Sequence, residues 1–404
     1  MTISVDVPKD SFRLSQLLYD TRYRSLTIQV VAFILLMLSF SWLVSNTVQN
    51  LSALGKDFDF GFLSTPAGYD INQRLIEYSS QSSHGRAAIV GILNTLLVAF
   101  LGCIVATVIG VLVGVLRLSK NWVVSRLMAV YVEALRNVPL LLWIVLIFAL
   151  MTESTPQPRD FREGGSASML LGDTMAITNR GVFIPKPIWH DGSMILGAIF
   201  VLSLIGIWAF RSYARKRQEQ TGDILPVFWV SLGLLIVPVT LFYFVLGHPV
   251  TLEYPELGGF NFQGGLQIRN SLIALWFALS LYTGAFIAEI VRAGILAVSK
   301  GQTEAAFALG LRPNRTMNLV ILPQAMRVII PPLISQFLNL TKNSSLAIAV
   351  GYMDVRATLG GITINQTGRE LEGMLLLGLF YLTASLMISS LMNIYNNRMK
   401  LKER

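Results

Sequence analysis

Between Ala285 and Met353 the chain reads Ala285-Phe-Ile-Ala-Glu-Ile-Val-Arg-Ala-Gly294, then Lys300-Gly-Gln-Thr-Glu-Ala-Ala-Phe-Ala-Leu-Gly-Leu311, then Ile321-Leu-Pro323 and a further long apolar run. The middle piece is polar, has Gly301 and Gly310 near its ends, and is filled between them with good helix formers. Held between two apolar spans, it predicts a short helix, Gln302 to Leu311, presented for something outside the membrane to grip. The rest of the chain decides what grips it.

The surroundings are those of a membrane protein. Of 404 residues, 53% are hydrophobic and only 14% charged, with a mean hydropathy of +0.59, where soluble domains carry about 25% charged residues. Cys103 is the single cysteine, so no intrachain disulfide is possible and helix packing must hold the fold. The net charge of +9 does not indicate nucleic acid, because the basic residues stand at the ends of apolar runs and mark orientation in a bilayer.

Crossing a bilayer takes roughly 20 apolar residues, and eight runs qualify, near 28–48, 89–116, 127–151, 194–210, 226–246, 271–291, 328–350 and 373–392. The expectation is an all-α integral membrane protein of about eight transmembrane helices. The first run follows Arg22 and Arg24 and is long enough to span rather than be a cleaved leader. With the N-terminus inside, the inner segments carry 19 lysines and arginines and the outer ones 10. The positive-inside rule therefore places both termini in the cytoplasm. The sharpest orientation signal is Arg211-Ser-Tyr-Ala-Arg-Lys-Arg217, read as a topogenic cluster or as a site for lipid headgroups or regulation. The outer segment 153–193, rich in Pro, Gly and Ser, reads as an irregular loop, either floppy or a docking surface. Gly110 and Gly114 in the second run permit close helix approach.

A charge inside a span costs about 2.5–3.5 kcal/mol at its centre. Glu133 and Arg136, three residues apart, are expected to pair on one helix face, as a structural tie or as the lining of a polar pathway. On the seventh run Gln336, Asn339 and Asn343 form a polar stripe with Lys342, Ser344 and Ser345 beside it. Such groups serve as interhelical glue or line a path for a polar solute. Lys342 can alternatively snorkel to the outer surface. Pro331-Pro332 is expected to break or kink the inner half of that helix. No phosphate-binding loop, no His-Glu-x-x-His and no metal-spaced cluster occurs in the sequence. Energy must come from an ion gradient or from a partner.

At Glu304-Ala305-Ala306, with Gly310, Val320 and Leu322-Pro323 following at fixed spacing, the sequence resembles the signature of permease subunits of bacterial ABC importers; Val320 replaces the usual isoleucine. Ala288-Glu-Ile-Val-Arg-Ala-Gly294, Lys300-Gly-Gln302 and Lys342-Asn-Ser-Ser-Leu346 are similar to the polar amino-acid uptake branch, and Asn94-Thr95-Leu96 with Arg136-Asn-Val-Pro139 extends the likeness to the N-terminal core. The chain most resembles the larger subunits of general L-amino acid permeases. The resemblance implies a type I importer core, divided into 89–151 and 271–397 with a coupling loop at 292–322. Around it lie a cytoplasmic start (1–27), an extra helix with its outer loop (28–88), an inserted loop and helix pair (152–270) and a tail (398–404). It further implies that the Gln302–Leu311 helix docks on a cytoplasmic ATPase dimer that holds the ATP and magnesium, through polar contacts of Glu304, close approach at Ala305 and Ala306, and a sharp turn at Gly310. A second, sister permease chain and a periplasmic amino-acid-binding protein complete the implied assembly, in the bacterial inner membrane. The competing reading is a stand-alone secondary transporter with Glu133, Arg136 and Lys342 on an ion pathway.

Overall fold

The computed structural model describes residues 20–53, 55 and 58–399. Most of the expected cytoplasmic N-terminal segment and of the tail therefore lies outside the described residues. Long helices form α1 (Thr21–Ala53), α2 (His84–Leu116), α3 (Trp122–Asn137), α4 (Leu140–Ser154), α5 (Ser193–Thr221), α6 (Val227–Val245) and α7 (Asn270–Leu296). After these come the short α8 (Lys300–Ala308), then α9 (Leu322–Asn343) and α10 (Glu370–Met399). Among the described residues seven helices are long and apolar enough to cross a membrane, and the pair α3–α4 makes an eighth if taken together. The membrane part is all-α, as its apolar runs require.

α7 is the centre of the bundle. It packs against α2, α3, α4 and α9, and its buried face carries Leu275, Leu279 and Ile287. Those side chains share one core with Val98 on α2, Ile144 on α4 and Ile329 and Leu340 on α9. α2 runs parallel to α7 and touches it with almost no side chain between: a Cβ at Gly110 would lie 2.5 Å from Ile287 Cβ, and one at Gly114 2.7 Å from the Ala288 carbonyl oxygen. The small residues foreseen on α2 thus serve contact within the chain. By contrast, α1 is exposed along its whole spanning window, and α5 packs chiefly on α6.

Three expectations need correction. The run 127–151 is two helices bent by 106°. α3 stops at Asn137 because Pro139 disfavours the helical conformation of Val138, which is extended at φ −109°, ψ 133°. Pro331 and Pro332 do not interrupt α9, which is continuous from Leu322 to Asn343. Both prolines lie on its exposed side, where the rings have room, and the irregular turns fall at its ends instead, as a π-turn over Met317–Ile321 and a 3-10 segment over Ser344–Val350. The segment 153–193, expected as an irregular outer loop, is not irregular. It contributes β1 (Ala176–Thr178), β2 (Gly181–Ile184) and β3 (Lys186–Trp189), while 247–270 adds β4 (Val250–Glu253), β5 (Glu256–Leu257), β6 (Phe262–Gln263) and β7 (Leu266–Ile268). They pair antiparallel as β1-β2-β7, β3-β4 and β5-β6 around a small core of Ala176, Phe183 and Phe262. Its prolines and glycines mark tight turns between strands too short to show a period of two.

Candidate coupling helix and solute path

The short helix stands between α7 and α9. α8 covers Lys300–Ala308, and the chain closes it with two bonds, Leu311 N–H to Ala306 O at 3.1 Å and Gly310 N–H to Phe307 O at 2.9 Å. These are the paired bonds of a Schellman cap, which needs a left-handed residue. Gly310 supplies it at φ +75°. Leu309 to Leu311 thus belong to the cap, and the helix itself starts two residues earlier than Gln302. Ala306 is 3% exposed and packs within its own chain, where the resemblance implied close approach of a partner. Gln302, Glu304 and Ala305 are exposed, and Leu311 is half-buried. Beside them lie Phe307 and Leu309, the latter 82% exposed. Gln324 Nε2 donates to Gln302 Oε1 at 3.2 Å, tying α8 to the first turn of α9. The Glu304 carboxylate makes no hydrogen bond or ion pair among the described residues.

The expected Glu133–Arg136 pair does not form. Among the described residues Glu133, which is exposed, accepts only from Asn137 Nδ2, at 3.3 Å. Arg136 turns to α7, where it lies 3.9 Å from Glu289 Oε2 and 5.2 Å from the centre of the Phe286 ring. Glu289 also pairs with Arg292 at 2.9 Å and with Arg117 from the C-cap of α2. One carboxylate thereby gathers three guanidiniums from α2, α3 and α7 next to the loop that leads into α8. Sequence spacing points to near neighbours such as residues 133 and 136. Arg117 lies 172 residues from Glu289, and the spacing rule has no access to it.

On α9, Asn339 and Lys342 are exposed, whereas Gln336 and Asn343 are half-buried. None of these four side chains has a hydrogen bond or ion pair among the described residues. Ser344 is buried and donates to the Thr341 carbonyl at 2.7 Å, while Ser345 is half-buried. Within the single chain the stripe is therefore an open polar face and not glue between its own helices. Arg327, nearer the start of the same helix, has Nε and Nη2 buried without a partner among the described residues.

Past the stripe the chain folds back onto α2 in a polar knot. Asn94 Nδ2 donates to the carbonyls of Gln73 and Met353, at 2.8 and 2.9 Å, and Tyr352 Oη donates to Asn94 O at 3.0 Å. Val355 N–H donates to Thr95 Oγ1 at 3.0 Å. Gly91 admits this approach, since a Cβ there would meet Thr358 Oγ1 at 2.1 Å. Asp354 lies at the centre, fully buried, with Oδ1 accepting from Ala357 N–H at 2.8 Å and Oδ2 unpartnered among the described residues. Burial pushes its carboxyl from the usual 3.8 up to about 6.

A carboxyl with a raised pKa in the fold holds its proton where the unfolded chain has lost it, so its contribution to stability falls as pH rises through that window and stays low above it. Asp354→Asn keeps the cap and removes the charge. The variant is expected to be more stable than the parent at pH 7.5 by about 1–3 kcal/mol, with the gap closing towards pH 4. Paired thermal unfolding in detergent at the two pH values checks this. A gap that does not change with pH would exclude a buried ionised carboxylate.

These elements match a known family. Residues 220–401 match the family described as "Binding-protein-dependent transport system inner membrane component". Over its whole length the chain is 55% identical to the glutamate/glutamine/aspartate/asparagine transport system permease protein BztB of Rhodobacter capsulatus, all of which is covered. It is 44% identical to the general L-amino acid transport system permease protein AapQ of Rhizobium johnstonii, over 98% of this chain and 96% of that one. The putative amino-acid ABC transporter permease protein YhdX of Escherichia coli is 41% identical, over 94% and 95%. The chain belongs to the family of amino-acid ABC importer permeases. It is a multi-pass inner-membrane subunit with the type I importer fold, and it is not itself an enzyme. ATP hydrolysis takes place on a separate ATPase, and a solute-binding protein is the other partner of the family. The secondary-transporter reading gives way to this assignment.

Proposed function

We propose that this subunit passes polar L-amino acids into the cytoplasm by alternating access, and that α8 transmits the motion of the ATPase dimer to the solute path on α9. One observation carries the reading. The docking candidate and the open polar stripe lie on one continuous stretch of chain, with Gln302 bonded to Gln324 and α9 unbroken to Asn343. A displacement of α8 is thereby conveyed to Lys342 and Asn343. The named solutes of the relatives, L-amino acids, suit a lining of amides, hydroxyls and one ammonium. In this arrangement Gln302, Glu304, Ala305 and Leu309 face the ATPase, on which ATP and magnesium reside. Both termini and α8 lie in the cytoplasm, as the basic-residue count supports.

The open face of α9 also supports a second permease chain across it, a sister subunit completing the path. A membrane-embedded helix with four unpartnered polar side chains needs partners from protein or solute. Asn343→Leu and Lys342→Met are each expected to lower binding-protein-dependent uptake at least about tenfold, equivalent to about 1.4 kcal/mol, in importers reconstituted with their ATPase. Normal uptake in both variants would remove the stripe from the solute path.

A further inference from the structure

At the end of α7 remote from α8, the β-rich insertion closes over the helix bundle and leaves a cavity of about 500 Å³. Its wall combines Asn179, Arg180, Asn261 and Gln267 of the insertion with Arg269 and Asn270 at the start of α7; its floor includes Val350 and Gly351, the end of the 3-10 segment that continues from the α9 stripe. Among the described residues two arginines line it and no aspartate or glutamate does. Arg269 is half-buried and has no hydrogen bond or ion pair among the described residues. Burial lowers the pKa of its guanidinium, with no protein carboxylate to offset the loss of water.

The site is built rather than incidental. Arg180 occupies the two-residue turn between β1 and β2, whose register pairs Thr178 with Gly181. Gly181 has φ +138°, and a Cβ there would lie 2.5 Å from Ile268 O, so the turn is seated directly on the residues leading into α7. Gln267 Nε2 donates to Arg180 O at 3.0 Å, and Arg180 Nη1 donates to Phe260 O at 3.0 Å. Asn270 is 4% exposed, and its Nδ2 donates to Asn179 O at 2.9 Å. The side-chain oxygens of Asn179, Asn261 and Asn270 are all buried with no partner among the described residues. The first amides of the 27-residue helix α7 add positive potential at the same place.

Two guanidiniums and a helix N-terminus call for carboxylate, and three unsatisfied amide oxygens call for a donor such as an ammonium group. We propose that this cavity is a waiting site for an acidic L-amino acid, held between its release from the binding protein and its entry to the α9 path, with Arg269 and Arg180 on its carboxylates. This rests on the reading of the chain as an amino-acid importer.

The test uses the assembled importer in nanodiscs and proteoliposomes, with L-glutamate and L-glutamine as probes. In Arg269→Gln, direct L-glutamate binding without binding protein is expected to weaken about tenfold, and the glutamate-to-glutamine uptake ratio to fall by a similar factor. Arg180→Gln tests the same selectivity at a position on the exposed turn, should the first variant fail to assemble. Arg269→Lys, which keeps charge but loses the planar fork, is expected to fall between. An unchanged ratio and unchanged binding in both glutamine variants overturns the site. Equal loss for both solutes with weakened binding-protein association also overturns it, and assigns the arginines to docking of that protein. If the unmodified importer takes up no member of a panel of polar L-amino acids, the amino-acid reading itself fails, a result distinct from either of these.

Discussion

Replacing Gly110 by leucine is expected to abolish recovery of folded protein from the membrane. The first atom of any side chain at 110 would stand 2.5 Å from both Cβ and Cγ2 of Ile287 and 3.0 Å from the Gly284 carbonyl oxygen. These are atoms at or next to the α7 backbone, not the tip of a flexible side chain, so relief requires the two helices to separate. Four residues on, Gly114 sits against Ala288 O and Val291 Cβ in the same way, at 2.7 and 2.9 Å. Separation at 110 therefore opens the contact along its length and exposes the core shared by α2, α4, α7 and α9. Overpacking by even one or two methylenes costs about 1–3 kcal/mol, and leucine adds four carbons at a point with no slack, against a typical total stability of about 5–15 kcal/mol. Gly378 on α10 provides the control. A Cβ there meets nothing within 4 Å, so Gly378→Leu is expected to leave the yield within about twofold, its surface change being within about 0.5 kcal/mol. Yield and monodispersity after mild detergent extraction separate the cases, and a Gly110→Leu protein recovered like the control would show that α2 and α7 do not pack as described.

That contact also marks what a sequence conveys. Gly110 and Gly114 are legible as small residues on one helix face, because helical spacing is local; that they meet α7 and not another copy of the chain depends on residues more than 170 positions away. The same division runs through the polar groups. Gly310 is legible as a helix terminator, since only a residue tolerant of positive φ closes such a turn cheaply, and the structure gives it φ +75°. Glu133 and Arg136 point to one another by spacing, yet Arg136 turns to Glu289, where a carboxylate already drawn to Arg117 and Arg292 lies within 3.9 Å. Asp354, between Met353 and Val355 in a short connection, gives no sign that Asn94, Thr95 and Tyr352 will enclose it. Val138-Pro139 did carry a local signal for the 106° bend, outweighed by the continuous apolarity of the run around it. The β-rich insertion escaped because strands of two to four residues leave no periodic trace, and turn-forming residues between them read as loop.

Glu304→Lys is expected to uncouple the importer while leaving the subunit folded in the membrane. The side chain is exposed on α8 and holds no partner within its own chain among the described residues, so the substitution breaks nothing internal, and lysine is as good a helix former as glutamate. What keeps α8 in place lies elsewhere, in buried Ala306, in the Gln302–Gln324 bond and in the Schellman closure at Gly310. The reversed charge therefore acts on what meets this face from outside. A carboxylate at a docking surface that takes a hydrogen-bonded or charged partner is worth about 2–4 kcal/mol when lost, and placing an ammonium opposite that partner adds repulsion. Association with the ATPase is thus expected to weaken by about 30- to 1000-fold, and ATP-driven uptake to fall in proportion at limiting ATPase. Glu304→Gln, which keeps the shape and one acceptor, is expected to lose less. In the proposed docking, Phe307 and Leu309, exposed beside Glu304, would supply an apolar contact that the charge does not touch, so excess ATPase is expected to restore part of the Glu304→Lys activity. Copurification of the ATPase and uptake by proteoliposomes, measured against ATPase concentration, distinguish a docking defect from a folding one. ATP-driven uptake unchanged in Glu304→Lys at limiting ATPase would take the coupling role away from α8 and leave the Glu289 cluster, beside the same loop, as the place to look for it.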